Sequence, residues 1–256
     1  PHRRVLPSPA PSRLLPLPSQ SRSLLWQRTM ADLLEAFRAW QQGPHDSFEH
    51  IKHPKTPYEI VYQSHRDFTS HITIGADAPN ATAFRIDGSK SSLLSMINPQ
   101  RMTILNFGSC TCPPFLRWLR KMDTLAAEYS PSNVDYRIVY ITEAHPVDGW
   151  MGGQIGKKLL NAISGWGAPI QFDDVKHAQT LEDRLIAASK FVSGCDIDED
   201  IVIVDGIEDE IEIKYEARPE RIYVVQHGKI LWRCGVGPFD YDPLALEEFL
   251  QANVPR

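Results

Sequence analysis

Cysteine is scarce here, four in 256 residues, and two of the four are neighbours but one at Cys110 and Cys112. So thin a supply builds no secreted disulfide framework, and a reducing compartment is the expectation. Long apolar runs are missing as well, which excludes a sequence-evident membrane-spanning helix and points to a soluble, cytoplasmic protein. A basic stripe is also absent. Lys and Arg number 27 against 32 Asp and Glu, a net charge of −5, so counterion-release binding to nucleic acid has no support. Four histidines, His45, His50, His53 and His65, crowd one polar stretch, yet their spacing matches no compact zinc pattern. They read as solvated loop residues, and no metal or bound cofactor is expected.

Acidic residues are missing from one place in particular. Residues 1–29 contain no Asp or Glu, are rich in Pro, Ser, Leu and Arg, and precede the first methionine, Met30. Three readings compete for this leader: a mis-started or fragmentary translation with its real start at Met30, an organellar transit peptide, or a disordered tail. The scattered prolines oppose the amphipathic helix of a mitochondrial signal, and the first reading is preferred. The expected organisation is a leader over 1–29, a helix at 31–40 with a polar extension over 30–71, and one globular domain over 72–256. The chain as a whole is 42% hydrophobic, enough apolar material for a core without staples.

What is present is concentrated at Asn106-Phe107-Gly108-Ser109-Cys110-Thr111-Cys112-Pro113-Pro114-Phe115. The apolar, β-branched run Met102 to Phe107 predicts a buried strand ended by Gly108. From Phe115 onward, Trp118, Leu119, Met122, Leu125, Ala126 and Tyr129 recur at helical spacing. Pro113 and Pro114 fall in the first turn, where proline is tolerated because those N–H groups lack intrahelical partners. Cys112 is therefore predicted at the N-cap. The partial positive charge of a helix start favours thiolate over thiol, which makes Cys112 a candidate nucleophile.

The following segments give the order of elements. Ala83 to Ile86 reads as a short strand before an Asp87-Gly88 turn, and Val134 to Ile141 as a second buried strand. Pro146 breaks the extended end of that strand, and Glu143 and His145, two apart, are expected on one side. A glycine-rich stretch around a small helix at 155–163 follows. Thr180 predicts an N-cap for a helix with Leu181, Leu185, Ala188 and Val192 on one face. Ile201 to Val204 reads as a strand. Ile222 to Gln226 and Lys229 to Arg233 flank the hairpin pair His227-Gly228, and Asp242-Pro243 opens a last helix. Strand, helix, strand, helix, proline-led hairpin and helix is the thioredoxin order, an α/β fold with a mixed sheet flanked by helices. A cis Arg218-Pro219 bond is predicted beside the nucleophile.

Together the segment 105–115, Val139 to Pro146 with Asp148-Gly149-Trp150, Pro219 to Val224, and Gly237-Pro238 resemble the iodothyronine deiodinase family. The resemblance implies a thioredoxin-like, peroxiredoxin-related fold and reductive removal of iodide from thyroxine-like iodinated phenols. It places Cys112 where the family carries selenocysteine, and makes Glu143, His145 and His177 the proton-handling network. Thr111 then neighbours the nucleophile, and Cys110 is a nearby thiol for regeneration. An external thiol reductant, an iodinated phenolic substrate and a homodimer are the implied partners. Met151 to Pro169 looks longer than the corresponding vertebrate region.

Such chemistry needs a soft nucleophile aimed along the carbon–iodine axis and an acid for the departing ring carbon. Imidazole titrates near neutrality, so His145 or His177 is expected to carry the proton while Glu143 orients an imidazole and stabilises its charged form. The sulfenyl iodide left on Cys112 is open to thiol exchange from Cys110, from Cys195 in the Ser193-Gly194-Cys195 loop, from Cys234 on the last strand, or from an outside thiol, with Cys234 the one that better suits a packing role. The rival reading is a thiol peroxidase, which shares fold, nucleophile and resolving logic.

Overall fold

A computed structural model describes residues 72–148, 172, 174–235, 237 and 240–255, all within one compact unit. The predicted leader, the helix at 31–40, the histidine-rich stretch and the glycine-rich segment with its helix at 155–163 lie outside the described residues. The elements run β1 (Thr82–Phe84), β2 (Lys90–Ser92), β3 (Met102–Gly108), α1 (Pro113–Tyr129), β4 (Val134–Tyr140), α2 (Leu181–Cys195), β5 (Val202–Asp205), α3 (Glu210–Tyr215), β6 (Arg221–Gln226), β7 (Lys229–Arg233) and α4 (Pro243–Asn253).

These strands form one seven-stranded sheet in the order β2-β1-β5-β4-β3-β6-β7. β3 pairs in parallel with β4, and β4 with β5, whereas β6 runs antiparallel to β3 and carries β7 as its hairpin partner. The β4-β3-β6-β7 core, with the cysteine turn leaving β3 into α1, is the thioredoxin-like arrangement expected from the element order. Central strands bury both faces. Along β4, Tyr136, Ile138 and Tyr140 face one core cluster and Val139 the other, and β6 alternates likewise with Ile222 and Val224 against Tyr223 and Val225. The first cluster lies under α1, α2 and α4, and the second is closed by α3 and the 72–97 segment.

Several predicted details stand. The bond between Arg218 and Pro219 is cis. The Thr180 side chain accepts from the Asp183 N–H, and Asp242 caps α4 by accepting from Leu244 and Ala245 with Pro243 at the first turn. His227 and Gly228 take φ of 51° and 70°, the left-handed geometry a two-residue hairpin turn requires.

Others change. The buried stripe of α2 is Arg184, Ala187, Ala188, Phe191 and Cys195; of the predicted face Leu181/Leu185/Ala188/Val192, Ala188 is buried and Leu185 and Val192 pack at the margin of the core, because the helix turns a buried arginine inward. Cys195 is the last residue of that helix instead of a loop residue. The acidic segment at 208–212, assigned no element from sequence, opens α3, whose Ile211 and Tyr215 enter the core. Finally, β4 ends at Tyr140, so Pro146 does not end the strand and the period-two placement of Glu143 and His145 does not apply.

Candidate functional site

Gly108 ends β3 where the Phe115 ring packs against its Cα; any Cβ there would overlap the ring. This close approach lets the chain turn within four residues into α1. The Cys112 N–H donates to the Ser109 carbonyl (3.1 Å), and the Cys112 carbonyl accepts from Leu116 (3.1 Å) as the first intrahelical bond. Cys112 is thus the N-cap, in extended backbone with φ −96° and ψ 108°.

The turn is laced to the segment after β4, at the carboxyl ends of the parallel strands, where ligand crevices of open α/β sheets lie. Ala144 N–H donates to Ser109 Oγ (3.1 Å), and His145 N–H to Thr111 Oγ1 (3.0 Å). Thr111 donates through both its N–H (3.2 Å) and its hydroxyl (2.5 Å) to Glu143 Oε2. The Tyr140 hydroxyl donates to Glu143 Oε1 and lies 3.1 Å from Cys110 Sγ, whose thiol also faces the carboxylate at 3.6 Å. Buried carboxylates demand such a set of donors. Burial still outweighs them and raises the Glu143 pKa above the ordinary range.

This network corrects one expectation. Glu143 is engaged by Thr111, Tyr140 and Cys110, and the imidazole it was expected to orient is not among its bonded partners. His145 instead buries a ring nitrogen, Nδ1, that has no hydrogen-bond partner. Desolvation, helped by the Arg218 guanidinium, pushes its pKa down to about 4, so the ring is neutral near pH 7. His177 is half-buried, with its backbone N–H on Asp148 Oδ1 (2.8 Å), and burial and Arg218 likewise lower its pKa. Burial thus moves both imidazoles below the intrinsic value from which the acid role was predicted, His145 to about 4.

A second correction concerns the nucleophile. Cys112 is 1% exposed, and its Sγ lies 2.7 Å from Oε2 of Glu220, a residue 108 positions away, immediately before β6. Desolvation first, then the Glu220 carboxylate, drive the Cys112 pKa well above the ordinary thiol value. The Phe115 N–H at the helix start does favour the thiolate, but burial in low dielectric overrides it. Glu220 is itself fully buried and its pKa is pushed up to about 7 by desolvation. Its other oxygen, Oε1, has no hydrogen-bond partner and faces the bare Cα of Gly237.

Sequence reasoning missed Glu220, Arg218 and Tyr140 as site residues. The signal for the first two was available: they flank the proline predicted beside the nucleophile. Arg218 Nη2 reaches the Glu143 carbonyl at 3.4 Å, and Nη1 sits 3.7 Å from Glu212, so a cation bridges the Glu143 segment and α3.

All four cysteines are free and buried. Burial and Glu143 raise the Cys110 pKa, and burial pushes Cys195 up to about 11 and Cys234 up to about 11. Cys234 accepts from the Ile222 N–H (3.1 Å) and donates to the Gly235 carbonyl (3.0 Å), a satisfied packing residue. Among the described residues there is no cluster of ligating side chains for a metal, and no helix is long and apolar enough to cross a membrane.

A family model described as iodothyronine deiodinase matches residues 55–254. The thyroxine 5-deiodinase of Gallus gallus is 35% identical over 191 residues, 74% of this chain and 67% of that protein. The type II iodothyronine deiodinase of Sus scrofa is 29% identical over 241 residues, 94% of this chain and 78% of that protein. Among solved structures, a thioredoxin-like protein from Aeropyrum pernix covers 68% of this chain and 89% of its own length at 18% identity, with a TM-score of 0.42.

Proposed function

The chain belongs to the iodothyronine deiodinase family, and from that premise we propose that it removes iodide reductively from iodothyronines, with the Cys112 thiol in the place of a selenol. The observation that carries this reading is the placement of Cys112 at the turn from β3 into α1, with its sulfur against one buried carboxylate and Glu143 in the adjoining network.

In the proposed reaction, Cys112 Sγ attacks the iodine along the carbon–iodine axis. The S–I bond forms as the C–I bond breaks, and the electron pair passes to the ring carbon, which takes up a proton. Glu143, protonated more readily than a solvent-exposed carboxyl, is the proposed source of that proton, held in place by Thr111 and Tyr140, which donate to it in the resting site. Neutral His145, with its open Nδ1, and His177 hydrogen-bond the polar end of the phenol, and Arg218 attracts its negative charge. An external thiol then attacks the sulfenyl iodide and releases iodide, and a second thiol frees Cys112 as the reductant becomes a disulfide. Cys110, held as a thiol against Glu143, and Cys195 at the end of α2 are the internal candidates for the first of these steps.

Purified protein with dithiothreitol is expected to release iodide from an iodothyronine, and Cys112→Ser to abolish the release. Full activity in the serine variant overturns the assignment. Rapid hydrogen peroxide turnover with no iodide release selects the peroxidase reading instead.

A further inference from the structure

A selenol is ionised at neutral pH without assistance, whereas a thiol needs its proton removed. The need is acute for Cys112, whose sulfur is buried at the foot of α1. The group in contact with that sulfur is not Glu143, which is occupied by Thr111, Tyr140 and Cys110, but Glu220. The geometry points to Glu220 as the general base that takes the proton from Cys112 Sγ, an assignment that rests on Cys112 being the attacking atom.

Three features fit Glu220 to this task. Its Oε2 stands 2.7 Å from Sγ, within reach for direct transfer without an intervening water. Its backbone is fixed from both sides: β6 begins at the next residue, and the Gly237 N–H donates to the Glu220 main-chain carbonyl (3.1 Å). Oε1 fills the space that any side chain at 237 would take. Its proton affinity is also suitable. With no cation among the described residues paired to it, burial moves it up to about 7, close to the best value for a base working at neutral pH. Among the described residues, Glu143 beyond Cys112, and Cys234 and Tyr241 from the segment after β7, disfavour a second negative charge at the pair, while the neighbouring Arg221 guanidinium acts on Cys234 in the opposite sense. A single proton is therefore shared: Cys-SH with Glu-COO⁻ becomes Cys-S⁻ with Glu-COOH, with no net charge added to the buried site.

The step balances without a further co-reactant. The S–H bond breaks, its electron pair stays on sulfur, and the proton bonds to Glu220 Oε2; nothing is oxidised until sulfur attacks iodine. Regeneration by external thiol restores the thiol and the carboxylate.

The test is the pH profile of Cys112 alkylation by iodoacetamide, read by peptide mass spectrometry, alongside iodide release, for wild type, Glu220→Gln and Glu220→Asp. Glutamine keeps the shape and removes the base. Far-UV circular dichroism establishes that each variant is folded. The expected result is a wild-type limb with its midpoint near pH 7, which in Glu220→Gln moves into the alkaline range. Iodide release at pH 7 is expected to fall by about 100-fold or more, the usual scale of a lost general base. Glu220→Asp should keep a limb near neutrality at reduced rate. If Glu220 only suppresses the thiolate by repulsion, Glu220→Gln will react faster than wild type at pH 7, which overturns the assignment; an unmoved midpoint does the same. Alkylation is independent of iodothyronine, so a silent wild type in iodide release with a Glu220-dependent alkylation limb would fault the substrate and leave the base standing.

Discussion

Thr111 ties the cysteine turn to the segment after β4 twice over, because its hydroxyl donates to Glu143 and accepts from the His145 N–H. Thr111→Val keeps the volume and β-branching but leaves a buried carboxylate short of a donor and an amide without an acceptor. Each such loss costs about 1–3 kcal/mol, so urea denaturation should show a fall in stability on that scale, and iodide release should drop with it. Unchanged stability would mean that water or rearrangement replaces the hydroxyl. The sequence revealed Thr111 as a neighbour of the nucleophile but not this bridge. It also named His145 and His177 from their intrinsic titration, and burial with Arg218 nearby moves both downward. Intrinsic pKa belongs to the residue type, whereas desolvation belongs to the fold, and only the first is written in the sequence.

At the level of elements, the strand-turn-helix that carries Cys112 was readable because its signals are local. A buried apolar run, a terminating glycine, prolines in a first turn and an apolar stripe all act within a few residues, and β3 and α1 lie where they predict. What escaped was long-range. Glu220 meets Cys112 only because β6 pairs antiparallel with β3, bringing residues 108 positions apart into contact. Arg184 rotates the buried face of α2 for the same kind of reason, by binding Thr142 (2.7 Å) and Asp209 (2.6 Å) from other elements. Two element-scale predictions follow from the local geometry. Gly108→Ala forces a methyl against the Phe115 ring and should destabilise by about 1–3 kcal/mol, the usual cost of overpacking. Asp242→Ala removes the acceptor for two N–H groups at the start of α4 and should cost about 1 kcal/mol by the same measurement. A Gly108→Ala protein as stable as wild type would show that α1 can slide away from β3.

For the whole molecule, the site sets a pH dependence of stability. Glu220 has a folded pKa of about 7 against an ordinary value of 4.5, so the folded state binds its proton more tightly than the unfolded chain. That contribution is fully present below pH 4.5 and is lost as pH rises through 7. Asp205, raised to about 7 by burial beneath α3, adds to the same loss. His145 acts oppositely: its folded pKa of about 4 lies below 6.5, so its contribution is present above pH 6.5 and is lost as pH falls toward 4. Glu220→Gln should therefore raise the melting temperature relative to wild type at pH 8, with the difference shrinking toward pH 5. A difference that is constant with pH would mean that Glu220 is not held against its ionisation. Paired with the expected loss of turnover, the gain at pH 8 would mark the buried carboxylate as a feature that costs the fold stability and serves the reaction.

In the proposed reaction the Cys112 sulfur is the atom that takes iodine from the ring, and a single-turnover experiment shows whether it does. Reduced protein freed of external thiol is mixed with excess iodothyronine, and the deiodinated ring product is counted against protein. One equivalent of product per chain, formed in a burst that stops until thiol is added and absent from Cys112→Ser, is the predicted result. No burst from wild type, or an equal burst from the serine variant, would contradict it.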